Sequence, residues 1–383
     1  MILSESKLFE LRHILHELAE VSGQEEKTAT FISQFLNNHN PSKLTEGVGG
    51  HGIIATYDYG PSGSTLVFRA ELDALPIDES HLTLTYQSKI PGVSHKCGHD
   101  GHMSILLGLA AYLSQANYPG GKIVLLFQPA EETGTGASKI LQDTRFIELH
   151  PDFVFALHNL PGYPLGKVLS KEGIFTAAVS SMIVRLQGVT SHASEPEKGK
   201  NPSLAISEII QYAERLTYNH PASENFQLIT PVFYRLGQKA YGISAGEGEM
   251  HFTLRAWTSK HLEDLILQFT KEIRKIEKRH QLIISINFLE EFSSTHNDKE
   301  AVEIIKKACQ RVQTEYMTLD TPFKFGEDFG LFTQNYKGAM FGLGAGIEQP
   351  PLHHQNYDFP DELIITGMEL FKNIIEQTFK SSH

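Results

Sequence analysis

The stretch His95-Lys-Cys97-Gly-His99-Asp100-Gly-His102 puts a thiol, three imidazoles and a carboxylate within eight residues. These are the side chains that bind divalent transition metals, so the chemistry open to the segment is metal ligation. Cys-x-His alone suits a polar loop ahead of a helix equally well, and its meaning depends on its company. Adjacent carboxylates, Glu131 and Glu132, follow the apolar run KIVLLFQ at 122 to 128. Two like charges so placed repel unless a cation lies between them. His158 closes a second apolar run, DFVFALH at 152 to 158, and Asp73 trails a third, TLVFRA at 65 to 70. A thiol enzyme built on Cys97 is the other chemistry, but no Asn or Asp partner pattern accompanies it, and the surrounding histidines suit ligation better.

The three runs have the length and β-rich composition of buried strands, and HMSILLGLAAYL lies between the first two as a helix. Alternating strand and helix predicts an α/β layer with a mostly parallel sheet flanked by helices. Ligands bind outside the carboxyl ends of such strands, and there Asp73, the Cys97 cluster, the glutamates and His158 all gather. Leu11, Ile14, Leu15 and Leu18 predict an opening amphipathic helix, and Ser22 with Glu25 a capping box for a second. From about Ala178 the pattern changes to SMIVRLQGV, TPVFYRL, EMHFTLRAW and LIISINFLE, read as strands. One helix starting at Asn201-Pro202 and another from His261 to about Arg279 punctuate them. Residues 178–289 therefore read as an inserted α+β domain with an open sheet, and 1–177 with 290–383 as one discontinuous domain.

Composition narrows the function classes. The 383 residues carry a formal charge of −12, and the basic stretch Lys271 to Arg279 alternates with Glu, which argues against a nucleic-acid surface. With no apolar run of membrane-spanning length and no signal-peptide pattern, the expectation is a cytoplasmic protein. Cys97 and Cys309 need no disulfide, and Cys309 reads as a small buried residue.

Seven blocks resemble one family in order: FRAELDALP at 68–76, HKCGHDGHMSILLGLA at 95–110, LFQPAEETGTGA at 126–137, ALHNLPGYPLGKV at 156–168, SHASEPEKGKNP at 191–202, FGEDFGLF at 325–332 and PLHHQNYDF at 351–359. The sequence is similar to the two-metal metallopeptidases of the aminoacylase and carboxypeptidase family. The nearest branch is that of hippurate hydrolases, N-acyl-amino-acid amidohydrolases and auxin-conjugate hydrolases. The resemblance implies that 178–289 is a lid or dimerisation domain and the rest the metal-binding catalytic domain, in a homodimer, or a tetramer, with two divalent ions per subunit, zinc, manganese or nickel. It implies Cys97, His99, Glu132, His158 and His353 as ligands and Glu131 as general base, cutting the amide of a small N-acyl amino acid or similar conjugate. It implies too that His192 reaches a partner subunit's site to stabilise the oxyanion, and that Arg255 binds a substrate carboxylate. For Arg255 the residues alone also allow a plain arginine on the open sheet face. Asp73 and Asp100 are expected to orient ligating imidazoles. A di- or exopeptidase of the same fold is the alternative within the enzyme class, and a metal-stabilised binding protein that has lost catalysis is the alternative outside that class. Two departures bear on substrate: Tyr241-Gly-Ile-Ser-Ala replaces the family's lid motif, and Gly326 stands where Ser is usual before Glu327-Asp328.

Overall fold

The computed structural model describes residues 3–380, and in it the three apolar runs are the strands Thr65–Glu71, Lys122–Gln128 and Phe153–Leu160. They form the parallel centre of an eight-stranded sheet with a fourth parallel strand, Gly338–Gly344. Across the sheet the order is Lys43–Val48, Gly52–Asp58, Lys122–Gln128, Thr65–Glu71, Phe153–Leu160, Gly338–Gly344, Val168–Ser170, Tyr316–Thr318. Phe153–Leu160 and Gly338–Gly344 are buried at every position. Strands covered on both faces read as continuous apolar runs rather than alternating ones.

The helix His99–Leu113 is almost wholly buried, which is why its sequence is apolar on every side. It packs against Glu5–Leu18 and Glu362–Lys380, and Lys299–Val312 packs against the latter. The capping box expected of Ser22 and Glu25 does not form. The helix Glu26–Asn37 has Glu25 at its N-cap with no side-chain bond, and its first amides are served by Glu20, whose carboxylate accepts from the Lys27 and Thr28 N–H groups at 2.9 Å each. Ser22 and Glu25 have other partners, described below.

Two compact units divide the chain. One holds the chain to Phe175, Thr295–Asp320 and everything from Asp328; the other holds Thr176–Ser294 and Thr321–Glu327. Thr321–Glu327 thus lies with the second unit rather than the first, because the Ala177 N–H donates to the Phe323 carbonyl at 2.9 Å and Thr176 bridges to Phe323.

The second unit is an antiparallel sheet ordered Gln227–Leu236, Glu247–Ala256, Ala178–Gln187, Ile283–Phe292. Along Glu247–Ala256 burial alternates strictly, with Met250, Phe252, Leu254 and Ala256 turned inward. The helices Ser203–Leu216 and Ser259–His280 supply the other half of that core, the longer one through Leu262, Leu265, Phe269, Ile273 and Ile276. Each such side chain is worth roughly 1.5–3 kcal/mol relative to exposure. The shorter helix starts one residue later than expected, with Pro202 as its cap. Among the described residues no helix is long and apolar enough to cross a membrane.

Candidate metal centre

Parallel strands deliver their carboxyl ends to one edge, and the loops leaving that edge carry the chemistry. Gly98, at φ +97°, turns the chain into the helix that starts at His99. A Cβ there would lie 2.7 Å from the Asn159 side-chain amide, so only glycine fits between Cys97 and His99. His158 lies within Phe153–Leu160, and Glu131 and Glu132 follow Lys122–Gln128 after a turn at Ala130. Ala130 takes φ +54° and His353 φ +65°, left-handed settings that cost a residue bearing a Cβ roughly 1–2 kcal/mol. Both settings flank groups of the site, as stored strain often does.

Ligand-type atoms of Cys97, His99 and His158 lie within 4.8 Å of one another, and so do those of Cys97, Glu132 and His353, and of His99, Glu131 and Glu132. The five residues expected as ligands and the expected base are therefore brought together. His192 and Arg255 belong to the second unit.

Hydrogen bonding on the far side of each ring fixes what faces inward. The His99 Nδ1 donates to the Asp73 carbonyl at 2.7 Å, and the His158 Nδ1 to the Asn159 carbonyl at 2.8 Å. A carbonyl only accepts, so in the neutral ring each hydrogen sits on Nδ1 and each Nε2 presents a lone pair. The His99 Nε2 is buried without a hydrogen-bond partner among the described residues, 3.9 Å from a Glu131 oxygen and 3.8 Å from a Glu132 oxygen. The His158 Nε2 lies 3.5 Å from the Cys97 sulfur, and the His353 Nε2 3.7 Å from the other Glu132 oxygen. Burial, with His102 nearby, lowers the His158 pKa to about 3, and the partial burial of the half-exposed His353 lowers its own. Acceptors facing acceptors in a buried space call for a cation, and this mixed set of sulfur, nitrogen and oxygen donors fits divalent ions.

The expected orienting roles are redistributed. The Asp73 carboxylate is 3.8 Å from the His99 Nδ1, while its oxygens accept from the Glu131 N–H at 3.1 Å, the Glu132 N–H at 3.0 Å and the Ser22 hydroxyl at 2.6 Å. Its carboxylate sets the glutamate turn, and its backbone carbonyl orients His99. Asp100 accepts from the Arg12 guanidinium at 2.8 Å and pairs with His16 at 2.7 Å, and so orients none of the rings expected to ligate.

Two buried networks went unread in the sequence. In one, Arg69 binds Glu71, Gln128 and Asp328, and Glu71 accepts from the His102 Nδ1 at 2.7 Å. Burial alone would raise the Glu71 pKa, but Arg69 and His102 hold it well below the carboxylate range. His102 also meets Asn159, whose amide donates to the Tyr357 hydroxyl. In the other, Lys96 binds Glu79 and the Tyr357 carbonyl, while the Lys96 carbonyl accepts the His353 N–H at 2.9 Å. That second network ties the returning His353 segment to the Cys97 loop. Glu71 was available as a signal, two residues before Asp73 in FRAELDALP.

In the second unit, His192 is exposed, in a two-residue strand paired with Ile243–Ser244. Its Nδ1 accepts from the Ser194 N–H at 3.1 Å, which leaves the neutral ring's hydrogen on Nε2. The segment Tyr241-Gly-Ile-Ser-Ala thus runs directly beside His192, with Tyr241 fully exposed. Arg255 is half-buried and donates to the Lys324 carbonyl at 2.6 Å; burial lowers its pKa. A Cβ at Gly326 would crowd the side chains of Val179 at 2.9 Å and Phe292 at 3.0 Å. Cys97 and Cys309 form no disulfide, and burial pushes the Cys309 thiol up to about 12.

A sequence model described as peptidase family M20/M25/M40 matches residues 67–377. The chain belongs to this family. The chain is 28% identical over 388 aligned positions to the N-acetyldiaminopimelate deacetylase of Lactobacillus helveticus, covering 98% of each chain. It is 31% identical to the hippurate hydrolase of Campylobacter jejuni, covering 95% of this chain and 94% of that one. Among solved structures, the Bacillus subtilis YXEP protein, described as a dinuclear metal binding peptidase from the M20 family, superposes with a TM-score of 0.82 at 23% identity, covering 98% of each chain. That likeness bears on the fold. As an M20 member with hydrolase relatives, the chain is a metal-dependent amide hydrolase.

Proposed function

We propose that the protein hydrolyses the amide bond of N-acyl amino acids or similar small conjugates, with Cys97, His99, Glu132, His158 and His353 holding two divalent ions and Glu131 as general base. The observation that carries this is the set of inward lone pairs around the His99 Nε2, with an acceptor carboxylate on either side. The relatives named as an N-acetyldiaminopimelate deacetylase and a hippurate hydrolase support the substrate class.

Bound ions supply acidity to water and polarise the scissile carbonyl. The residues do the rest. Glu131, 5% exposed and with its N–H held by Asp73, accepts the proton of the attacking water and passes it to the departing amine. Glu132, its neighbour, is committed to ligation, so the two carboxylates divide the work. His192 of the partner subunit donates its Nε2–H to the developing oxyanion. The exposed apolar side chains Val232, Phe233 and Tyr234 on one edge strand of the second unit, and Ile283, Phe288 and Leu289 on the other, support a homodimer.

The test is a panel of N-acetyl, N-benzoyl and long-chain N-acyl amino acids beside dipeptides, with bound metal measured in parallel. Glu131→Gln should keep its metal and lose at least about 100-fold in turnover, the scale of a lost general base. Glu132→Ala should lose metal, and His192→Ala should lose turnover but not metal. Mixing Glu131→Gln with His192→Ala subunits should regain activity through hybrid dimers. A fully active Glu131→Gln sinks the base assignment, and mixtures as inert as their parents sink the partner-donated histidine.

A further inference from the structure

Ser22 and Glu25 do not cap the helix Glu26–Asn37; they bond instead to the Asp73 carboxylate and the Ala130 amide. We propose that Glu25 is a positioning residue for the Ala130-Glu131-Glu132 turn, acting through the Ala130 amide. The inference rests on the reading of Glu131 as base and Glu132 as ligand.

Glu25 is fully buried, and one of its oxygens accepts both the Gly23 N–H at 2.8 Å and the Ala130 N–H at 2.9 Å. The Asp73 carboxylate takes the next two amides, those of Glu131 and Glu132. Three consecutive N–H groups are thus held by two carboxylates, and the Ser22 hydroxyl fixes the second of these at 2.6 Å. A run of successive amides converging on anions is an arrangement proteins use to bind anionic ligands, here filled by the chain's own side chains.

Burying a carboxylate is costly and needs a reason. The helix Glu26–Asn37 does not supply one, since Glu20 already accepts its first amides. The turn does. Ala130 holds φ +54°, a setting that a residue with a Cβ keeps only when its surroundings impose it. Without an acceptor for its N–H, Ala130 relaxes toward the right-handed region and swings both following carboxylates. One buried oxygen therefore governs the base and a ligand together. Activity alone would not separate this role from general stability, so the test reads metal geometry.

The metal-free full chain is titrated with cobalt(II), and its absorption spectrum is followed beside hippurate turnover. Glu25→Asp keeps the charge but falls one methylene short of the Ala130 amide; Glu25→Gln loses the charge and keeps the reach. Glu25→Asp should bind cobalt about ten-fold more weakly with altered bands and a lower kcat, whereas Glu25→Gln should stay within about three-fold of the parent in affinity with the parent spectrum. Adding Ala130→Gly to Glu25→Asp should recover part of the loss, because glycine adopts the left-handed setting freely. Parent-like cobalt binding in Glu25→Asp, or equal impairment in Glu25→Gln, overturns the proposal. Glu132→Ala is the reference: undiminished cobalt binding there overturns the ligand reading itself, whereas its loss beside unaltered Glu25 variants overturns only the positioning role.

Discussion

A single hydrogen bond decides what His99 offers. With Nδ1 donating to the Asp73 carbonyl, its other nitrogen is left as a lone pair among carboxylates. The same logic separates His16, where Nδ1 faces Asp100 at 2.7 Å and Nε2 faces Glu79 at 3.1 Å. Burial alone would lower the His16 pKa, but the bonds to Asp100 and Glu79 raise it above 6.5. Burial opposes the charge on Glu79 too, yet His16 and Lys96 bring its pKa from 4.5 to about 2. The signs give a window. The Glu79 contribution to stability is present above pH 4.5 and is lost as pH falls through about 2. The His16 contribution is present below pH 6.5 and is lost as pH rises through its raised value. Denaturation of metal-free protein across pH should show the loss at both ends, and His16→Gln should flatten the alkaline limb; an unchanged limb would contradict the pairing. None of this was legible in the sequence. His16 sits one position from Leu15 in a helix whose visible stripe was leucine and isoleucine, and a buried Arg12 or His16 betrays itself only once Asp100 and Glu79 arrive from 84 and 63 residues away. The ligand candidates were legible because their types are chemically unusual together.

Elements explain why the loops hold still. The helix His99–Leu113 can start where it does because Gly98 accepts φ +97° beside Asn159. Gly98→Ala adds a Cβ 2.7 Å from that amide, and the backbone setting alone should cost roughly 1–3 kcal/mol. Thermal unfolding should report the loss, and metal content should fall with it because Cys97 and His99 flank the position. A variant with parental stability and metal would show that the turn tolerates a side chain. The three strands carrying site residues were readable as apolar runs. Gly338–Gly344 was not singled out, since three glycines interrupt its apolar run GAMFGLG. Its glycines answer to neighbours: a Cβ at Gly338 would lie 2.3 Å from the Val154 carbonyl oxygen, and one at Gly342 2.1 Å from Leu160. The Ser22–Glu25 pattern misled for the opposite reason. A local capping signature was satisfied locally by Glu20, and the more valuable contacts lay more than 50 residues ahead.

At the scale of the molecule, the first unit is assembled from three separated stretches of chain, and its sheet is closed by a late strand. Gly338–Gly344 lies between Phe153–Leu160 and Val168–Ser170. Removing the chain from Gly338 onward should expose the buried strand Phe153–Leu160 as a sheet edge, and unpaired apolar edges aggregate. Expression of that truncation should give insoluble protein, and a soluble folded product would show that the sheet does not depend on the late strand. The placement of this one strand also orders events during synthesis. A ribosome delivers His353 only after the whole second unit and the closing strand have emerged, so a partly made chain owns four of the five proposed ligands and no finished pocket. On the proposed ligand set, a fragment abandoned before residue 353 lacks one ligand, and hydrolytic competence becomes a report that translation passed that point.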